Sequence, residues 1–472
     1  MVLPRWPLCI CFGRLVGFKS LVALFAVNVL AERSVFRFVD GGLRHTMMNT
    51  MLSRSILIAV LSVVALIVPL SSAAGQQASY NLPSADPSEV GLSKERLERL
   101  DGMLQAMVDS GELAGVVTML ARHGKIAFVD VAGVRDIESK QPMTRDSIFR
   151  IQSMTKPITG VAMMMLFEEG KWRLNDPVSR YIPEFDQLTV YDGENSDGSI
   201  REEELERPIT MRDLMIHTAG LAYTLDMSHP VNRMFRDQRV INVQEPLQAM
   251  IDKMAMLPLL AQPGTRWIYS SSVDVQSHLV EKLSGQAFAD FLDERIFGPL
   301  QMVDTAFYVP VAEVGRVATR HRLNAQGVLQ RLSGRPPLTA MPQGPTGGAG
   351  LYSTADDYLR FTQMLLNGGE LNGVRLLSPR TVEMMRTNHL SKEATRNIRP
   401  GMGFGMDFMV YMDPAAAGEP HSPGSYYWLG IDGTWFWIDP ELDFTFVGMM
   451  QHTPYGRLHG LSRNLVYQSI VN

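Results

Sequence analysis

The feature that most constrains this 472-residue chain is the junction at residues 149–170. A β-rich run ends at Ile151, and a Met-rich helical run starts at Ile158. Between them Ser153 and Lys156 stand i, i+3 across the first turn of a helix, so both side chains share one face. A serine hydroxyl is a poor nucleophile until a neighbouring base takes its proton. A lysine serves as that base only where burial or nearby positive potential lowers its pKa. The helix N-terminus adds positive potential and free N–H groups where an acyl oxyanion would form. By itself S-x-x-K is a weak signal, because a capping serine and a solvated lysine spell the same letters.

The length suits one large domain or two intimately joined ones. A hydrophobic content of 46% with 20% charged residues describes a globular chain with a substantial core. The leader reads as separate from that core. Start candidates Met47, Met48 and Met51, basic Arg54, an apolar run at 56–68 and Ser72-Ala73-Ala74 form a signal peptide over 47–74. Residues 1–46 then read as an over-extended start. The alternative, an N-terminal anchor at 21–30, is left short by Lys19 and Glu32. The expectation is a periplasmic or secreted protein with no stable membrane insertion after cleavage. Both cysteines, Cys9 and Cys11, lie in the leader, so the mature chain has no thiol for a disulfide, metal or lipid. Losing the leader's seven Lys/Arg and two Asp/Glu leaves 37 basic against 47 acidic residues, which argues against nucleic acid as a partner.

Apolar positions Leu97, Leu100, Leu104 and Met107 predict a helix over 92–110. Two apolar runs, 115–122 and 126–134, flank His123-Gly124-Lys125 and read as a hairpin, with His123 only a turn residue. Residues 192–207 form a polar, acidic insertion. A short helix at 210–216 ends in His217, which has no adjacent nucleophile or second ligand and reads as structural. Tyr269-Ser270-Ser271 leads into a helix at 273–283. The Gly-rich turn 346–350 lacks the G-K-[ST] of a phosphate loop and reads as backbone permissiveness. Helix 358–366, a hairpin at 434–451 and a last helix at 458–471 complete the chain. Strands at both ends with helices between predict one α/β (α+β) domain over 75–472. Its α/β part is about 88–165 and 345–472, and its helical insertion about 166–344.

Three segments fall in order: Ser153-x-x-Lys156, Tyr269-x-Ser271 and Trp428-Leu429-Gly430, the last expected to open a strand. They resemble the S-x-x-K, Y/S-x-N and K-T-G set of the serine β-lactamase and penicillin-binding-protein superfamily, nearest to its class C β-lactamase-like esterase branch. Supporting phrases are His217-Thr218-Ala219-Gly220-Leu221, Pro263-Gly264-Thr265 and the run from Gly433 to Pro440. The resemblance implies a β-lactamase/transpeptidase-like fold, an antiparallel sheet flanked by helices with an all-helical insertion. It makes Ser153 the nucleophile, with Lys156 and Tyr269 sharing the proton traffic. Positive potential beside Tyr269 would favour a phenolate base. The N–H groups of Ser153 and Ile431 would form the oxyanion hole beside Gly430.

Two departures bear on substrate. Ser271 replaces the Asn that helps bind an amide side chain, and Trp428 replaces the Lys of K-T-G. Without that ammonium a substrate carboxylate loses a charge-assisted contact of roughly 1.5–3 kcal/mol, so a neutral ester fits better than a β-lactam. Trp428 follows the esterase W-G-G pattern, and Leu429 departs from it. A rival register at His421-Ser422-Pro423-Gly424 mimics H-x-G, but the match continuing through Pro440 favours Trp428. The expectation is an exported serine hydrolase acting through an acyl-enzyme on small ester or amide substrates, without cofactor. The ten histidines show no His-x-His or His-Glu-x-x-His spacing, which argues against a zinc hydrolase. The alternatives are a β-lactamase or D-Ala-D-Ala carboxypeptidase, and a penicillin-recognising binding protein.

Overall fold

The computed structural model describes residues 82–334, 336–454 and 457–472; the leader expectations for 1–74 lie outside them. The N-terminal hairpin lies toward one edge of the main sheet. Strands β1 (Gly115–Arg122) and β2 (Lys125–Asp136) are joined through His123 and Gly124, whose φ values of 51° and 70° are the left-handed pair that a tight, twisted hairpin requires. Strand β3 (Gln141–Pro142) follows at one edge, and the C-terminal strands complete the other side. These are β4 (Met402–Phe404), β5 (Met409–Tyr411), β6 (Tyr426–Leu429), β7 (Trp435–Asp439) and β8 (Phe444–Met449). The order is β4-β5-β6-β7-β8-β1-β2-β3, antiparallel throughout. Val117 of β1 pairs with Met449 of β8, so the two ends of the domain close one sheet.

All eight residues of β1 are buried because both faces of the sheet are covered. On β7, Trp435 and Trp437 point to one core, which they share with Leu97 and Leu100 of helix α1 (Lys94–Asp109) and Leu458 of the C-terminal helix 458–467. Their neighbours Phe436 and Ile438 point to the other, larger core, which holds α2 (Thr155–Glu168) and the helix 355–366. The spacing expectation for α1 holds, with Leu97, Leu100, Leu104 and Met107 buried and Ser93 accepting the Arg96 N–H at 3.3 Å as N-cap.

The expectations need correction at four places. Helix α2 begins at Thr155 rather than 158, continuing directly from a 3₁₀ turn at Gln152–Met154. The last helix stops at Tyr467. The insertion is not all-helical. Thr189–Glu194 pairs with Ile200–Glu204, and His321–Leu323 pairs with Leu329–Arg331. The first ribbon escaped the pattern reading because its second strand is largely exposed and charged, giving no apolar alternation to detect. Trp428-Leu429-Gly430 closes strand β6 instead of opening one.

Trp437 is fully buried, its ring stacked 4.2 Å from that of Phe446. Truncating it leaves a cavity between the sheet and the terminal helices. Trp437→Ala is expected to cost about 3–5 kcal/mol, read as a lower urea midpoint with an unchanged slope.

Candidate active site

The chain leaves Phe149–Arg150, makes one 3₁₀ turn and enters α2, which places Ser153 at the head of the helix. Lys156 follows on the same face and is wholly buried, with Nζ donating to Ser153 Oγ at 3.3 Å and to the Gly348 carbonyl at 2.6 Å. Tyr269 arrives from the loop before helix α3 (Ser272–Ser284), which packs along α2. Its hydroxyl oxygen is 2.6 Å from Ser153 Oγ. Three side chains separated by 116 residues of chain thus meet within hydrogen-bond reach.

The electrostatics correct one expectation. Burial pushes the Lys156 pKa down, but the negative potential of Tyr223, Tyr269 and Asp274 outweighs it, so the net shift is upward and the side chain stays an ammonium. Lys156 is therefore a poor free base for Ser153, whose Oγ also lies 2.6 Å from the Tyr269 hydroxyl. Asp274 is itself buried, and burial lifts its carboxyl to about 6 against the opposing effects of Lys156 and the Gly348 N–H. Its Oδ1 accepts that N–H at 3.1 Å, so Gly348 bridges Asp274 to Lys156 through the two ends of adjoining peptide groups.

His217 lies beside Tyr269 at 5.1 Å between ring centroids and accepts the Ser270 N–H at 3.2 Å through Nδ1. Burial, then Lys156, depresses its pKa well below the usual value, so it is neutral packing beneath the tyrosine. His421 sits elsewhere, stacked 3.9 Å from Tyr411 and bonded at 2.8 Å to Tyr467. The rival register therefore does not reach Ser153. Trp428 does approach it, with its ring 5.4 Å from that of Tyr269 and 5.6 Å from that of Phe404.

Gly430 packs directly on the turn that carries Ser153. A Cβ there would come within 2.5 Å of the Ile151 carbonyl oxygen, so only glycine allows this approach. Ile431 follows on the loop beyond β6 with its side chain half exposed. Ser271 needs correction. Expected against substrate, it is fully buried and its hydroxyl donates to the Ala222 carbonyl at 2.8 Å, because its short side chain reaches the nearest backbone acceptor and no further.

Sequence reasoning missed Tyr223, Asp274 and Phe404. Tyr223 lies with its ring 5.4 Å from Lys156 Nζ and 5.8 Å from the ring of Tyr269, which is itself 4.8 Å from that Nζ. Its only signal was its place just after the His217–Leu221 phrase. The Gly-rich turn was also read too blandly, since Gly348 supplies a ligand carbonyl to Lys156. Among the described residues, no group of three or more His, Cys, Asp or Glu could hold a metal ion.

The family profile that matches is Beta-lactamase, over residues 100–466. The chain belongs to the Beta-lactamase family. An uncharacterised Mycobacterium tuberculosis protein is 40% identical over 368 residues, covering 75% of this chain and 90% of that one. Esterase EstB of Burkholderia gladioli is 31% identical over 400 residues, covering 80% of this chain and 96% of its own. Among solved structures, EstCE1, described as a hydrolase with promiscuous acyltransferase activity, superposes with TM-score 0.68 at 29% identity, covering 79% of this chain and 99% of that one. The protein is thus a serine hydrolase of the β-lactamase-related type, on a β-lactamase/transpeptidase-like fold.

Two outcomes follow from the geometry. Gly430→Ala forces Ile151 and the loop apart, and is expected to lower kcat about 100-fold together with a lower melting temperature from the overlap. Protonating Asp274 removes the counter-charge of Lys156, so kcat/KM is expected to fall as pH drops through about 6. Asp274→Asn should lower the plateau and abolish that acid limb in a pH–rate profile. The linked stability effect has the opposite sense. The folded protein keeps a proton that the unfolded chain releases above 3.8, so this group weakens the fold as pH rises from there toward 6.

Proposed function

We propose that the protein is an exported carboxylic ester hydrolase for small neutral esters, acting through an acyl-enzyme on Ser153. The observation that carries the proposal is Ser153 Oγ held 2.6 Å from the Tyr269 hydroxyl and 3.3 Å from Lys156 Nζ, beside an aromatic wall containing Trp428. Tyr269, as phenolate balanced by the Lys156 ammonium, takes the serine proton while Oγ forms a bond to the ester carbonyl carbon. The carbonyl electron pair moves to oxygen, which faces the N–H groups of Ser153 and Ile431. Collapse breaks the bond to the alkoxy oxygen, which leaves as the alcohol with the proton from Tyr269. Water then adds to the acyl carbon, giving its proton to Tyr269. The second collapse releases the acid and returns the proton to Ser153.

The names of EstB, an esterase, and EstCE1, a hydrolase that also transfers acyl groups, support ester chemistry. Trp428 offers an apolar face and one N–H donor where a carboxylate-binding lysine would favour β-lactams. Export rests on the leader at 47–74, and no helix among the described residues is long and apolar enough to cross a membrane.

The test compares the protein from Gly75 onward with its Ser153→Ala variant on a short-chain p-nitrophenyl ester and a chromogenic cephalosporin. The expected outcome is ester turnover that falls at least 10³-fold in the variant, in line with loss of a nucleophile, with little cephalosporin hydrolysis. Cephalosporin turnover equal to ester turnover would favour the β-lactamase reading. Ester activity unchanged by the substitution would remove Ser153 from the mechanism.

A further inference from the structure

The two N–H groups assigned to the oxyanion hole belong to segments almost 280 residues apart. Ser153 heads α2, whereas Ile431 sits on the loop after β6. Among the described residues neither N–H has a hydrogen-bond acceptor of its own. An oxyanion needs both donors about 2.7–3.1 Å from one point, so something must set the gap between the segments. The backbone contact at Gly430 brings them together, and the Thr434 hydroxyl donates to the Ile151 carbonyl at 3.1 Å. A third link joins the immediate neighbours of the two donors. Gln152 Nε2, one residue before Ser153, donates to Asp432 Oδ2, one residue after Ile431, at 2.6 Å.

Each member of this link is fixed in its turn. Gln152 has φ of +49°, a left-handed conformation that is strained for a non-glycine residue and persists only where the surroundings hold it. Asp432 is only 1% exposed, its Oδ1 accepts from Nε and the terminal nitrogen of Arg320 at 2.8 Å, and its carbonyl accepts the His452 N–H at 2.7 Å. A carboxylate taken out of water costs several kcal/mol unless it is paired. Here the pairing spends both oxygens on opposite sides, one on the nucleophile's turn and one on Arg320.

We propose that Asp432, held by Arg320, is a positioning residue that clamps Gln152 and so sets the spacing of the Ser153 and Ile431 N–H groups around the oxyanion. The clamp rests on the hydrolase reading above and deepens it. None of the three side chains takes part in bond making. Their effect is on the transition state, where the carbonyl oxygen becomes charged, and much less on binding the ground-state ester.

The experiment measures kcat and KM for Gln152→Ala, Asp432→Ala, Asp432→Asn and the Gln152→Ala/Asp432→Ala pair, on a p-nitrophenyl ester and its thiono analogue. In the thiono ester sulfur replaces the carbonyl oxygen and fits a well-spaced oxyanion hole poorly. Each alanine variant is expected to lower kcat about 10- to 100-fold on the oxygen ester, with KM within about twofold of the parent. The preference for oxygen over sulfur should shrink by a similar factor. The double variant should be no worse than the poorer single one, as for two residues acting through one link. Asp432→Asn, which keeps an oxygen for Gln152, should recover part of the loss and stays informative if Asp432→Ala folds badly. Equal losses on both esters, or independent losses that multiply in the double variant, would overturn the clamp while leaving the hydrolase intact. Absence of Ser153-dependent ester turnover in the parent protein would overturn the hydrolase reading, and the clamp with it.

Discussion

A fully buried ammonium is the group that this fold is built to tolerate. Taking Lys156 out of water costs several kcal/mol unless partners replace its hydration. The replacement is assembled from four segments. The Gly348 carbonyl and Ser153 Oγ accept its protons, the rings of Tyr223 and Tyr269 present their faces at 5.4 and 4.8 Å, and Asp274 supplies the opposite charge. Removing Asp274 leaves the ammonium beneath Ser153 without its opposite charge. The glycine turn is part of the same solution, since a Cβ on Gly348 would come within 2.5 Å of the Asp274 carboxyl.

The sheet serves this centre by bringing the chain's ends together. Because β8 pairs with β1, the C-terminal strands lie in register with the N-terminal hairpin, and β6 carries Trp428 to the ring of Tyr269. The same placement sets Gly430 against the Ile151 carbonyl, so the loop holding Ile431 rests on the turn that carries Ser153. Aromatic packing closes the remaining side. Trp267, Tyr269, Phe404 and Trp428 have ring centroids 5.4–6.3 Å apart, with His217 below them. A wall of this kind buries apolar surface and offers a carboxylate no cationic partner.

Some of this was readable directly from the letters. Helix α1 and the hairpins at 115–136 and 435–449 follow from apolar spacing and turn residues, both of which are local. The order Ser153, Lys156, Tyr269, Trp428 was readable because each motif is short and self-contained. The ribbon at 189–204 was not, since its exposed charged strand is held by pairing with a neighbour rather than by a buried face. Ser271 has a residue type suited to touching substrate, yet its hydroxyl turned to Ala222, a carbonyl 49 residues away. Tyr223 and Asp274 belong to no motif and became visible only through their closeness to Lys156.

By itself the sequence determined the candidate nucleophile, its two polar partners and the esterase-like tryptophan, because a helix turn fixes i, i+3 neighbours without help from the rest of the chain. Tertiary structure decided what those groups are able to do. It surrounded the Lys156 ammonium with acceptors and Asp274, placed the Tyr269 hydroxyl 2.6 Å from Ser153 Oγ, and set Gly430 against the Ile151 carbonyl. Charge state and donor spacing depend on groups distant in sequence, and only the folded arrangement brings those groups within a few ångströms.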